Sequence, residues 1–145
     1  MLDHIGLAVT DLERSKAFYL AALKPLGLGL IQEVTAAETG GEAHAGFGEG
    51  GKPFFWIGSG ARPKGGTHVA FAAQTRAEVD AFFRAALAAG GKDNGAPALR
   101  PHYHPNYYGA FVIDPDGNNV EAVCHRPEWR GAGRPVEALM GRIPG

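Results

Sequence analysis

The chain opens with Leu2-Asp3-His4-Ile5-Gly6-Leu7-Ala8-Val9, and a related stretch, Thr67-His68-Val69-Ala70-Phe71-Ala72-Ala73, follows later. Each stretch has a histidine near the start of an apolar run, and the two histidines stand 64 positions apart. An aromatic pair follows each histidine at the same distance, Phe18-Tyr19 in the first copy and Phe82-Phe83 in the second. Repetition at a fixed offset predicts two copies of one supersecondary unit.

Each copy begins as a strand and continues as a helix. Alternation puts His4 on the same face of the first strand as Gly6 and Ala8. Capping boxes at Thr10-Asp11-Leu12-Glu13 and Thr75-Arg76-Ala77-Glu78 predict where the helices begin. The strands expected after the first helix are 28–35, 43–48 and 53–58. After the second helix we expect an irregular stretch, and then a hairpin of 108–113 and 119–125 around Asp114-Pro115-Asp116-Gly117-Asn118.

The order of strand, helix and three strands predicts an α+β fold of two βαβββ modules, with curved mixed sheets around a cleft. We expect a single domain over residues 1–125, which suits a chain of 145 residues. Its modules span about 1–58 and 66–125, with a linker at 59–65. Residues 126–145 are interpreted as a tail available to wrap a neighbouring molecule.

Composition argues against several classes of partner. The net charge is −1, and lysine and arginine form no run, so neither nucleic acid nor a membrane surface is expected as a partner. No apolar run reaches the length of a membrane span, and the N-terminus does not resemble a secretory signal. The single cysteine, Cys124, permits no intrachain disulfide, and alternation puts it on the strand face opposite Glu121, where we expect a buried core thiol. We expect a cytoplasmic protein that binds a small molecule.

Three residues form a candidate metal set: His4, His68 and Glu121. The histidines occupy equivalent places in the two copies, and Glu121 lies among apolar residues, where a carboxylate is costly to bury unless it is paired or metal-bound. Two imidazoles and one carboxylate suit Fe, Mn, Zn or Ni as a divalent ion. Taken singly, each histidine also fits a purely structural role, and Glu121 also fits a solvent-exposed edge.

A loop rich in histidine and tyrosine, residues 100–108, directly precedes the hairpin that carries Glu121. His102, His104 and Tyr108 are candidate acids or bases in this loop. The candidate substrate pocket consists of Phe54, Trp56, Tyr103 and Tyr107. Packing of the aromatic rings on the sheet, with solvated histidines, is the alternative interpretation.

Three stretches together resemble the vicinal oxygen chelate superfamily, which includes glyoxalase I, bleomycin-binding proteins, fosfomycin-resistance thiol transferases and extradiol dioxygenases. The stretches are the opening one with Phe18-Tyr19, the strand beginning Thr67-His68, and Phe111-Val112-Ile113-Asp114-Pro115-Asp116-Gly117-Asn118-Asn119-Val120-Glu121. The resemblance covers roughly residues 2–125. It implies paired βαβββ modules, a metal held by His4, His68 and Glu121, and a substrate that offers oxygen to that metal. It also implies a homodimer, in which His4 meets His68 and Glu121 either within one chain or across the subunit boundary.

The chain departs from glyoxalase I at one position. Members of that branch have a fourth ligand in the last strand of the first module, where this chain has Trp56 and Ile57. We therefore expect a metal-dependent lyase, isomerase or ring-cleaving dioxygenase rather than an ordinary glyoxalase I. A non-catalytic antibiotic-binding protein and a thiol transferase of the fosfomycin-resistance type are the alternatives.

Overall fold

A computed structural model describes residues 2–60 and 66–128. The first module comprises β1 (Ile5–Val9), α1 (Leu12–Leu23), a 3-10 turn (Lys24–Leu26), β2 (Gly29–Val34), α2 (Ala36–Thr39), β3 (His44–Glu49) and β4 (Lys52–Ser59). The second comprises β5 (His68–Ala72), α3 (Arg76–Ala88), β6 (Lys92–Leu99), β7 (Tyr108–Ile113) and β8 (Asn119–Cys124).

The two modules have the same topology, which confirms the predicted α+β class and the duplication. Each forms a four-stranded sheet, with strand orders β1-β4-β3-β2 and β5-β8-β7-β6. The first and last strands of each module pair in parallel, and the other pairs are antiparallel. The first strand is therefore at one edge of each sheet, beside the last strand of the same module.

One face of each sheet is covered and the other is open. The helices α1 and α3 cover one face of their own sheets and also pack against each other. Phe55 and Phe71 extend this core between the modules, with ring centroids 5.0 Å apart and both side chains buried. Gly6, His68 and Ala70 remain exposed on the open faces.

The turn between β7 and β8 joins the modules through buried carboxylates. Asp116 accepts hydrogen bonds from the backbone N–H of Thr10 at 3.2 Å and from the hydroxyl groups of Thr10 and Ser15. Asp114 accepts one from the Tyr19 hydroxyl at 2.6 Å. A turn predicted only from its local chemistry therefore also binds α1 of the other module.

The same contact corrects the predicted start of α1. Asp11, not Thr10, caps this helix, and its carboxylate accepts from the backbone N–H of Arg14. Thr10 does not close a capping box because its hydroxyl donates to Asp116. The second capping box is confirmed, with Thr75 and Glu78 each bonded to the backbone of the other.

Residues 92–99 are a further correction, since they form β6 and not an irregular stretch. This segment is polar and contains Pro97, which removes a ladder donor. It pairs with β7 all the same, with register shifts on both sides of Gly95. The short helix α2 was also not expected.

The tail, the linker, the cysteine and the absence of a membrane span were also predicted from the sequence. Most of the predicted tail, 129–145, and most of the linker, 61–65, lie outside the described residues. Cys124 is buried on the covered face of its sheet, as expected for a core thiol. Within the described ranges, none of the helices has the length and apolar character needed to cross a bilayer.

Candidate metal and substrate site

Two of the three predicted ligands meet on the open face of the second sheet. His68 begins β5 and Glu121 is on the neighbouring β8, and the imidazole Nε2 lies 3.2 Å from the carboxylate Oε1. The side chain of Glu121 is only 2% exposed, whereas that of His68 is 51% exposed. A buried carboxylate thus has a ligand-type nitrogen beside it and solvent within reach, an arrangement suited to binding a cation.

The other ring nitrogen of His68 determines its tautomer. Nδ1 lies 3.2 Å from the backbone carbonyl oxygen of Asn119, which can only accept, so Nδ1 carries a proton. In a neutral ring Nε2 then presents its lone pair toward Glu121 Oε1. That contact becomes favourable when Nε2 is protonated or when a cation lies against both atoms.

The second carboxylate oxygen of Glu121 is engaged by Tyr107. The phenol donates a hydrogen bond to Oε2. Burial, followed by the hydrogen bond to Glu121 and its negative charge, raises the pKa of Tyr107 well above the ordinary tyrosine value, so the proton stays on the phenol. Gly109 leaves room for this contact, because an added Cβ would lie 3.0 Å from Tyr107 Cε1 and 3.2 Å from Glu121 Oε2.

The third predicted ligand, His4, lies just before β1 in the first module. Its Nδ1 is 2.7 Å from Asp3 Oδ2, and Lys52 Nζ lies 2.9 Å from the same oxygen. The hydrogen bond with His4, and to a lesser degree the one with Lys52, lowers the pKa of Asp3. The ionised carboxylate accepts the hydrogen bond from His4 Nδ1. The Nε2 of His4 is left as the available donor atom, as in His68.

His4 does not join His68 and Glu121 within the single chain. His4 and His68 both line a cavity of about 540 Å³ between the modules, together with Phe54. Across residues 2–60 and 66–128, however, no three histidine, cysteine or acidic side chains converge as a metal site. The chain therefore presents one ligand on the first module and two on the second.

Sheet register identifies the counterpart of Glu121 in the first module. Ala70 pairs with Glu121 in the second sheet, and the equivalent residue of β1, Gly6, pairs with Trp56 in the first. The 64-residue period alone points to Ile57, but the register selects Trp56. Its indole lies over Gly46, where an added Cβ would come within 2.9 Å of three ring atoms. An indole therefore occupies the place that a carboxylate has in the second module.

The loop before β7 contributes an aromatic cluster beside Glu121. The ring of Tyr107 is 5.1 Å from those of Tyr103 and His125, measured between centroids. His102 contacts Tyr103 at 4.1 Å, and His104 contacts His125 at 5.3 Å. His102 and His104 thus lie at the rim of the site, with Tyr107 between them and Glu121.

Tyr108 differs from the expectation that it acts at the site. It pairs with Cys124, on the covered face of the sheet, and its hydroxyl donates to Asp80 Oδ1 of α3 at 2.6 Å. Burial and this carboxylate raise the pKa of Tyr108 to about 12. The tyrosine that contacts Glu121 is instead its neighbour Tyr107, whose hydroxyl donates a hydrogen bond to that carboxylate.

The predicted pocket residues are divided between the modules. Phe54 lines the cavity with His4 and His68, and Trp56 lines a groove with His4 on the open face of the first sheet. On the second module, Tyr107 contacts Glu121 and Tyr103 contacts Tyr107. Sequence reasoning missed His125, although alternation from Glu121 through Val123 would have put it on the same face.

Known proteins agree with this architecture. The sequence model of the Glyoxalase/Bleomycin resistance protein/Dioxygenase superfamily matches residues 1–122. A glyoxalase/bleomycin resistance protein from Albidiferax ferrireducens T118 is 32% identical, with a TM-score of 0.66 over 86% of this chain and 97% of that chain. A mutant of glyoxalase I from Zea mays is 25% identical, with a TM-score of 0.65 over 84% of this chain and 46% of that one.

A third structure is similar to this chain in fold, at a lower sequence identity. The fosfomycin resistance protein FosX from Listeria monocytogenes, complexed with Mn(II) and sulfate, is 21% identical, with a TM-score of 0.61 over 86% of this chain and 91% of that chain. No curated protein gives a significant match. On the match over residues 1–122 and the duplicated topology, the chain belongs to the glyoxalase/bleomycin resistance protein/dioxygenase superfamily.

Proposed function

We propose that this chain is a metal-dependent enzyme acting on a small oxygen-bearing substrate, as a lyase, an isomerase or a ring-cleaving dioxygenase. The observation that carries the proposal is the 3.2 Å approach of His68 Nε2 to the buried Oε1 of Glu121. Removing a carboxylate from water is costly unless a cation compensates it. The donor set fits a divalent ion, because both histidines have an acceptor on Nδ1 and keep Nε2 for a ligand bond.

The complete ligand set is proposed to form between two copies of the chain. His4 is on one module and the pair of His68 and Glu121 is on the other, and both histidine side chains are exposed. A homodimer that places the first module of one copy against the second module of its partner would bring the three together. Closure of the intervening cavity of about 540 Å³ within one chain is the competing arrangement.

When bound, the metal would supply Lewis acidity toward a substrate oxygen and stabilise negative charge that develops on it. The chain's own residues give the rest of the site its character. Phe54 and Trp56 would hold the apolar part of a substrate, and Tyr103 would enclose it from the rim. His102 and His104, both exposed and in contact with Tyr103 and His125 respectively, are the proposed acids or bases that exchange a proton with the substrate.

Metal-dependent stabilisation tests the proposal directly. A ligand at one hundred times its Kd adds about 2.7 kcal/mol of stability. For a chain of this length that shift raises Tm by roughly 8 °C. We expect this increase with at least one of Mn, Fe, Ni or Zn, and its loss in His4→Ala and Glu121→Gln. His44→Ala is the matched control, since His44 is on the same sheet as His4 but its ring lies over Gly58.

Absence of any shift with all four ions would refute the proposal. A shift that survives in both ligand variants would show that the ions bind elsewhere. Fractionation of cells that express the tagged chain would separately test the predicted cytoplasmic location.

A small-molecule binder without chemistry is the second candidate, and the exposed aromatic cluster supports it. Tyr103 is 61% exposed on a rim where its ring contacts Tyr107. Such a surface can stack against a planar ligand such as an antibiotic. Unchanged ligand affinity in His4→Ala and Glu121→Ala would favour this function. Turnover of fosfomycin with a thiol would instead indicate the thiol transferase activity.

A further inference from the structure

We infer that Tyr107 is a positioning residue for the metal site: its phenol occupies one oxygen of Glu121 and leaves the other, beside His68, as the single ligand atom of that carboxylate. This inference rests on the proposed function, in which Glu121 binds a metal ion. Tyr107 acts on the ion through Glu121 and is not itself a ligand of it. Its role is to determine how Glu121 presents its charge.

The two oxygens of Glu121 have different partners. Oε2 accepts the hydrogen bond from Tyr107, and Oε1 lies 3.2 Å from His68 Nε2. A hydrogen bond from a neutral phenol to a carboxylate is charge-assisted and stronger than one between neutral groups. Binding of an ion through both oxygens would make the ion compete with the phenol for the lone pairs of Oε2 and would weaken this hydrogen bond. The arrangement therefore favours one-oxygen binding toward His68.

The position of Tyr107 is itself fixed from several sides. Its backbone N–H donates to the carbonyl of His104 at 3.0 Å, and its carbonyl accepts from the N–H of Arg100 at 2.7 Å. Its ring has edge contacts with Tyr103 and His125 at 5.1 Å. A donor held in this way needs little reorganisation when an ion binds, which is the condition for a supporting hydrogen bond to affect affinity.

The chain provides a matched control in the next residue. Tyr108 also donates a part-buried hydrogen bond to a carboxylate, that of Asp80, but on the covered face of the sheet. Tyr107→Phe and Tyr108→Phe therefore remove the same group and the same kind of bond, one at the site and one away from it. Their thermal unfolding should be affected to a similar degree.

Cobalt(II) provides the readout, because its visible spectrum reports coordination number and geometry. We expect Tyr107→Phe to bind Co(II) about 10- to 100-fold more weakly than the wild-type chain, with an altered d–d spectrum. Tyr108→Phe should keep the wild-type affinity and spectrum. Gly109→Ala is a second variant that keeps the phenol and every ligand but crowds the Tyr107–Glu121 contact, and it should weaken Co(II) binding as well.

The outcomes separate the inference from the proposed function. Wild-type affinity and spectrum in Tyr107→Phe would overturn the inference alone. Equal weakening in Tyr107→Phe and Tyr108→Phe would also overturn it, because general destabilisation would then explain both. Failure of the wild-type chain to bind Co(II) would refute the proposed function, and the inference with it.

Discussion

Two variants that are each inactive for metal binding should restore binding when they are mixed, if the site forms between subunits. His4→Ala removes the ligand of the first module, and Glu121→Gln removes one ligand of the second. In a mixed dimer, one site would combine the intact His4 of the Glu121→Gln chain with the intact His68 and Glu121 of the His4→Ala chain. The other site of that dimer would lack both ligands.

The expected recovery follows from twofold symmetry. Random reassociation of equal amounts places half of the dimers in the mixed form, and each carries one intact site of two, so about one quarter of the wild-type capacity should return. A site closed within one chain would give no recovery, because every chain in the mixture lacks one ligand. The intrachain cavity lined by His4 and His68 makes this a real alternative.

The assay is metal stoichiometry after subunit exchange. Each variant and the mixture are partially unfolded in urea, returned to buffer and titrated with Co(II) against a chromogenic chelator. The metal concentration is kept near ten times the wild-type Kd, so that sites with two ligands do not fill. Recovery near zero, with dimers confirmed by sizing, would refute the intersubunit site.

Three further predictions concern single residues. Trp56→Glu should tighten metal binding, since the sheet register makes Trp56 the first-module equivalent of Glu121. Unchanged affinity in the chelator titration would contradict that equivalence. Asp3→Asn should weaken metal binding by less than about tenfold, because the exposed Asp3 contacts His4 and is not in the proposed ligand set. A larger loss in the same titration would mean that Asp3 binds the ion itself. Asp116→Ala should destabilise the fold by about 3 kcal/mol, through the loss of partners for three donors. Urea unfolding measures this last loss, and a change below about 1 kcal/mol would show that the Asp116 carboxylate does not hold the modules together.

Trp56 bears on which chemistry the site performs. In this chain the two modules differ at the position paired with Gly6 in the first sheet and with Ala70 in the second, which is an indole in one and a carboxylate in the other. A site with two histidines and one carboxylate leaves more coordination positions for a substrate than one with four protein ligands. This favours reactions in which the substrate offers two oxygens to the ion, in line with the proposed lyase, isomerase or dioxygenase chemistry.

Local patterns were sufficient for much of the fold. The repeat of the histidine strand at positions 4 and 68 predicted two modules of equal topology, and both modules have it. The capping box at Thr75 predicted the start of α3, and alternation placed Cys124 on the covered face. These predictions succeeded because helix caps and strand faces depend on residues near in sequence.

Contacts between distant segments decided the rest. Strand β6 forms because β7 supplies hydrogen-bond partners to a segment with little strand character of its own. Thr10 does not cap α1 as expected, because its hydroxyl donates a hydrogen bond to Asp116 in the other module. Tyr107 and Tyr108 look equivalent in the sequence. Only the pairing of β7 with β8 shows that Tyr107 meets Glu121 while Tyr108 points into the core.

By itself, then, the sequence predicted the duplicated topology from the repeat of the histidine strand. It also suggested the candidate ligands, from two equivalent histidines, a carboxylate among apolar residues and the family resemblance. The tertiary structure decided which of them meet: His68 and Glu121 lie together because their strands pair in parallel, and His4 lies apart because it belongs to the other sheet. That separation is the physical reason for expecting a second copy of the chain to complete the site.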